Sequence, residues 1–142
     1  MIKKIIFILS FSALLGSCTE RETPNTGIYA VMNFTERQHD FGTINQGDKV
    51  THIFTYTNTG AVDLLVSNAV GSCGCTVPEY THEPVHPGET GTIKVTFNSA
   101  GKSGHQSKTV TITANTQTTK EILTIKASII PPAGKTAGLN SH

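Results

Sequence analysis

The densest chemistry in the chain is Cys73-Gly74-Cys75, two thiols separated by a single glycine, with His82 and His86 a short way downstream. Three chemistries are open to this set. In an oxidising compartment, thiols this close can close a disulfide across a small ring, a clip that is easier to reduce than a relaxed bridge. Two soft thiolates and two imidazoles in a C-x-C-x6-H-x3-H arrangement suit Cu(I) or Zn(II). That spacing matches no standard structural zinc pattern, and both histidines fall in the turn-rich stretch YTHEPVHP. The third role is structural: a disulfide or packing pair at a strand end, with His82 and His86 merely solvated. A catalytic thiol needs a cation or a helix N-terminus to lower its pKa, and no Lys or Arg lies between Lys49 and Lys94. The residues therefore favour the structural role and no catalytic residue, with thiol redox work or a Cu(I) or Zn(II) site on Cys73, Cys75, His82 and His86 as the alternative.

The third cysteine has a different setting. Met1 to Cys18 opens with Lys3 and Lys4, continues with the apolar run Ile5 to Leu15 and closes on Gly16 and Ser17, which is the layout of a signal peptide. The run has 11 residues, whereas a membrane-crossing helix needs roughly 20. Leu15-Gly16-Ser17-Cys18 resembles the lipobox of bacterial lipoproteins, so residues 1–17 read as a lipoprotein signal peptide and Cys18 as the lipid-bearing N-terminus of the mature chain. Each buried methylene is worth ~0.8 kcal/mol, and stable anchoring takes more than one acyl chain. Cleavage removes two lysines and no acid, so the net charge changes from +1 to −1 and no polybasic patch assists attachment. Residues 18–30, polar and containing Pro24 and Gly27, read as a tether.

These groups must be held by a scaffold, and its pattern is short strands. Thr is unusually frequent, at 22 of 142 residues, and its β-branched side chain suits a pleated surface. In Lys49 to Asn58, Val50, His52, Phe54 and Tyr56 fall on one face and Thr51, Ile53, Thr55 and Thr57 on the other, a period of two. The same alternation places Ile93, Val95 and Phe97 together, then Val110, Ile112 and Ala114, then Leu123, Ile125, Ala127 and Ile129. Leu64 to Val70 is a further extended run, and Ala30 to Thr35 and His39 to Ile44 add edge strands. Asn58-Thr59-Gly60 and Pro87-Gly88-Glu89 supply turns. About seven strands with no amphipathic helix predict an all-β, immunoglobulin-like sandwich over residues 31–130. The Pro- and Gly-rich residues 131–142 read as a disordered tail.

Composition and motif tests exclude several functions. A near-zero net charge and only 15% charged residues offer no phosphate-binding surface, so nucleic acid is not a partner. Asp40-Phe41-Gly42 echoes the kinase metal-binding tripeptide, but neither the phosphate loop nor the catalytic loop accompanies it. Gly71-Ser72-Cys73-Gly74 lacks the strand–G-x-S-x-G–helix setting of a nucleophile elbow. Asn33-Phe34-Thr35 fits a glycosylation sequon, which carries little weight beside a bacterial lipobox. His52 shares a face with Phe54 and Tyr56 and has no carboxylate partner in sequence, so it reads as a core or near-core histidine rather than a base.

Taken in order, His39-Asp40-Phe41-Gly42, Phe54 to Asn58 with Gly60, Ser72-Cys73-Gly74-Cys75-Thr76, Pro87-Gly88-Glu89 and a last strand pair around Asn115 resemble the domain of unknown function 1573 family across roughly residues 35–130. The resemblance implies an immunoglobulin-like module of a bacterial envelope protein, often a lipoprotein, related in architecture to major-sperm-protein and ciliary domains. No activity is established for the family, so it bears on fold and location more than on mechanism. The expectation is a non-catalytic binding or assembly module, joined to a cell-envelope membrane through Cys18 and contacting an unknown envelope protein.

Overall fold

The computed structural model of the chain describes residues 28–132. The signal segment, Cys18, most of the tether and nearly all of the tail lie outside the described residues. Eight strands follow in order: β1 (Met32–Phe34), β2 (Gln38–Asn45), β3 (Lys49–Asn58), β4 (Val66–Gly71), β5 (Thr76–Tyr80), β6 (Thr90–Asn98), β7 (Gly104–Ala114) and β8 (Lys120–Ile130). They form two four-stranded sheets, β1-β3-β6-β5 and β2-β8-β7-β4. All neighbours are antiparallel except β2 and β8, which run parallel. This is an immunoglobulin-like β-sandwich, and no helix occurs among the described residues.

The inward faces are those marked by the period-two pattern. Phe54, Tyr56, Ile93, Val95 and Phe97 of one sheet meet Val110, Ile112, Leu123 and Ile125 of the other, all at 3% exposure or less. Along β3, burial deepens from half-buried Val50 and His52 to fully buried Phe54 and Tyr56. The sandwich is therefore tight at one end of β3 and looser at the other. At the tight end Gly91 packs against the Tyr56 ring, where any side chain would collide with it.

The structure agrees with the expected sandwich of about seven strands, and β5 is the one strand that the sequence pattern did not mark. Pro78 lies in its middle and opposes Val95. Proline removes a ladder donor and is confined to edges, bulges or strand starts, so a five-residue run centred on it does not read as a strand. It is accommodated because β5 is an edge.

Asn58 does more than tolerate a turn. Its side chain is fully buried, and its Nδ2 donates to the carbonyls of Val62 and Val85, both at 2.8 Å, while its Oδ1 accepts from Gly60 N at 3.0 Å and Val31 N at 3.3 Å. A buried amide is inexpensive only when its donors and acceptors are matched in this way. Ser99 does the same at the other end, bonding Asn45 O at 2.8 Å, Asp48 O at 3.0 Å and Gly47 N at 3.0 Å.

Candidate functional site

A two-sheet sandwich has two lateral seams, and each holds one group of the chemically capable residues. At the β4–β5 seam the chain leaves one sheet and enters the other through Ser72 to Cys75. Ser72 is held to β7 through its N–H, which donates to Thr109 O at 2.8 Å, and its hydroxyl, which accepts from Thr109 N at 3.1 Å. Thr76 N–H closes the turn on Cys73 O at 3.1 Å. The turn folds back so closely that a side chain on Gly71 would run into the backbone of Thr76, whereas Gly74 has open space around it. The glycine this turn requires is Gly71, not the one between the cysteines.

Cys73 and Cys75 are joined as a disulfide, with their Cα atoms 5.2 Å apart. Both residues are half-buried. The side-chain partner of the sulfurs is the buried Thr76 hydroxyl, 3.5 Å from Cys73 Sγ and 3.9 Å from Cys75 Sγ. A neutral hydroxyl does not supply the positive charge that activates a thiolate.

The four residues considered together as metal ligands do not converge. From Cys75, β5 carries the chain away along the sheet edge at about 3.3 Å per residue, so His82 lies near the opposite end. There His82 packs on the Tyr80 ring, with centroids 4.5 Å apart. His86 Nδ1 pairs with Asp63 Oδ1 at 2.8 Å on the surface. That hydrogen bond, reinforced by the charges of Asp63 and Glu89, raises the His86 pKa above its ordinary value. Beside this pair, Leu64 and Val85 bridge the seam, each N–H donating to the other's carbonyl at 2.9 Å.

At the other seam, β1 is only three residues long and covers β3 from Tyr56 to Asn58 alone. The chain then crosses at Thr35 to Arg37 and becomes β2 in the second sheet. The uncovered half of β3 faces β2, and the gap is filled by rings. His39 of β2 stacks on His52 of β3 with centroids 3.6 Å apart and planes 7° from parallel. Phe41 meets His39 edge-on at 4.7 Å, and Phe54 meets His52 edge-on at 4.7 Å. Glu36, in the crossover, places Oε1 2.7 Å from His52 Nε2. An ionised carboxylate has no proton to give, so Nε2–H is the donor.

His52 is thus half-buried, as its strand face implied, but it has the carboxylate partner that the sequence did not reveal. Glu36, His39 and His52 are the one group of three metal-capable side chains that the described residues bring together. Glu36 and His39 went unnoticed because only the crossover brings residue 36 to residue 52. The single available signal was a second histidine three residues after a glutamate, just ahead of the β2 run.

The edges differ as strongly as the seams. β2 is interrupted by a register shift between Asp40 and Thr43, where Gly42 has a φ of 68°. β5 carries Pro78 and the Glu79–Lys94 ion pair at 2.9 Å. β4 also shifts register, between Val66 and Asn68, but beyond that point Asn68 to Gly71 pair continuously with β7, and residues 64–78 contain no charged side chain. Val70 aligns with Thr111, and Thr111 in turn with Ile122. Leu65, Val70 and Ile122 are 44%, 54% and 56% exposed. The Tyr80 hydroxyl reaches one carbonyl of this strand, Ser67 O, at 3.3 Å.

An immunoglobulin-like sandwich with a half-buried Cys-Gly-Cys disulfide defines a class of β-domain rather than an activity. The family model for a protein of unknown function, DUF1573, matches residues 32–129, and the chain belongs to that family. None of the curated proteins matches it in sequence. Among solved structures, it resembles a protein of unknown function from Porphyromonas gingivalis W83, with 16% identity and a TM-score of 0.63, covering 75% of this chain and 51% of that one. The chain thus spans about half the length of that relative. It also resembles the ASH/PapD-like domain 7 of human CEP192, with 11% identity and a TM-score of 0.56, covering 87% of this chain and 98% of that one. A third likeness is to the CsuC-CsuE chaperone-tip adhesion subunit pre-assembly complex of Acinetobacter baumannii, with 11% identity and a TM-score of 0.53, covering 70% and 52%. At these identities the likeness concerns the fold.

Proposed function

We infer that the chain is a lipid-anchored cell-envelope protein whose single sandwich domain serves, without catalysis, as a binding or assembly module for another envelope polypeptide. The observation that carries this reading is the β4 edge. Native sheets guard their edges with charge, proline, bulges or shortness; β1 is short, β2 shifts register within its run, β5 carries proline and charge, and β4 has only the register shift between Val66 and Asn68. β4 from Asn68 to Gly71 is in register, uncharged and flanked by exposed Leu65, Val70 and Ile122. Such an edge suits an extended segment that adds main-chain hydrogen bonds and seats alternate side chains on the exposed apolar row. The fold-level likeness to a chaperone-tip adhesion subunit complex supports the same reading by analogy only.

Two measurements test it. With the lipidated form isolated from intact membranes, Val70→Lys is expected to abolish recovery of a partner that the parent chain retains, while circular dichroism stays unchanged. Equal recovery would exclude β4. Mass spectrometry of the native N-terminus is expected to find an acylated Cys18, and an unmodified Met1 or a bare Cys18 thiol would exclude the anchor.

A further inference from the structure

We propose that Glu36, His39 and His52 form a binding site for a borderline divalent transition-metal ion, Zn(II) being the best fit, which clasps the two sheets at the β2–β3 seam. Each residue offers one ligand atom, and these atoms all lie within 4.8 Å of one another. A tetrahedral zinc with bonds near 2.0–2.1 Å sets its ligand atoms roughly 3.3 Å apart, so the cluster is within a small contraction of that geometry. Two imidazoles and one carboxylate match the softness of Zn(II). One carboxylate oxygen is far too few for Ca(II) or Mg(II), which take about six or more oxygens.

The arrangement also shows what binding must change. Parallel rings 3.6 Å apart hold their in-plane lone pairs in two separate parallel planes, so one ring has to turn for both to meet one ion. His39 is free to be that ring: its nitrogens make no hydrogen bond among the described residues, and it lies on an edge strand. His52 stays, held between Phe54 and the carboxylate. The ion takes the place of the Nε2 proton that His52 donates to Glu36 in the metal-free chain, and the neutral ring keeps its one proton as the Nδ1–H tautomer, so no net proton is released. The fourth position remains open to water, as in sites built from three protein ligands.

The ligands come from β2, β3 and the crossover joining the two sheets, so the bound ion adds a direct tie between elements that otherwise meet here through stacked rings and the Glu36–His52 hydrogen bond. This site is separate from the disulfide and independent of the β4 edge, so its failure would leave the function inferred above untouched.

The test is calorimetric titration of the full chain carrying Cys18→Ser, in detergent and with the disulfide formed, using Zn(II) and then Ca(II). One saturable equivalent of Zn(II) is expected, with no response to Ca(II). His39→Ala and Glu36→Gln, folded by circular dichroism, are expected to weaken binding about tenfold or more, while His86→Ala leaves it unchanged. X-ray absorption should report nitrogen and oxygen neighbours without sulfur. Absence of saturable binding, equal affinity in both variants, or sulfur in the coordination shell would each overturn the proposal. Glu36, 45% exposed, keeps the test decisive if His39→Ala fails to fold.

Discussion

The two seams of this sandwich solve the same problem by opposite means. At the β4–β5 side the disulfide-bearing turn is fixed to one sheet by the Ser72–Thr109 bonds and to the other by Asn98 N–H donating to Cys75 O at 2.9 Å, and the Leu64–Val85 bridge spans the gap at the far end. At the β2–β3 side the chain passes between the sheets at residues 35–37 and again at 46–48, and along β2 and β3 the space is filled by four rings and one carboxylate. Backbone pairing between neutral groups is indifferent to protons and ions, whereas imidazoles and carboxylates respond to both. The first seam can therefore present a fixed edge to a partner, and the second can answer to its surroundings.

The sharpest way to break the rigid seam is Gly71→Ala. Its new methyl would meet the Thr76 backbone, which cannot move aside as a flexible side chain could, so a loss of roughly 2–4 kcal/mol is expected in chemical denaturation. Gly74→Ala, with open space around it, should cost far less. Equal losses at the two glycines would show that the turn is not packed as described.

Removing the disulfide comes next. Its cysteines are two positions apart, and closing so short a loop restricts the unfolded chain by only about 1.5 kcal/mol on chain-entropy grounds. The double variant Cys73→Ser, Cys75→Ser should fold, with a stability loss of that order matched by reduction of the parent chain. Collapse of the fold would mean that the bridge, not the backbone pairing, holds the seam.

Smaller still is the effect of Glu36→Gln in metal-free protein. The pair with His52 is half-exposed, and such pairs are worth under about 1 kcal/mol. The difference from the parent should shrink with added salt. A loss several times larger would mean that the ring stack depends on the carboxylate.

The smallest change is expected at His86. Its pKa is raised in the folded chain by Asp63, so the pair stabilises most fully below the unfolded value near 6.5 and loses that contribution as pH rises through the higher folded value. His86→Ala should flatten this stretch of the stability–pH profile, and a profile identical to the parent's would remove Asp63 as the cause.

The contrast between the seams also explains what could be read from residues alone. Period-two alternation announced every long strand, because one buried face forces the pattern on β3, β6, β7 and β8. The cysteine pair was visible for the same local reason: its members are two positions apart in sequence. β5 was hidden by Pro78, whose missing N–H only an edge position tolerates. Asn58 read as a turn residue because two of its four partners, Val31 and Val85, each lie 27 positions away along the chain. The Glu36–His39–His52 group depends on where the chain changes sheets, and the metal reading of Cys73, Cys75, His82 and His86 missed that β5 separates them. Local periodicity encodes which face is buried, while side-chain constellations depend on topology that no local window contains.

The proposed docking edge is tested most directly by placing a photo-activated cross-linking residue in intact cells, once at position 70 on β4 and once at position 40 on β2. A discrete adduct from position 70 with none from position 40 is the predicted result. Adducts of equal yield from both positions, or none from position 70, would contradict it.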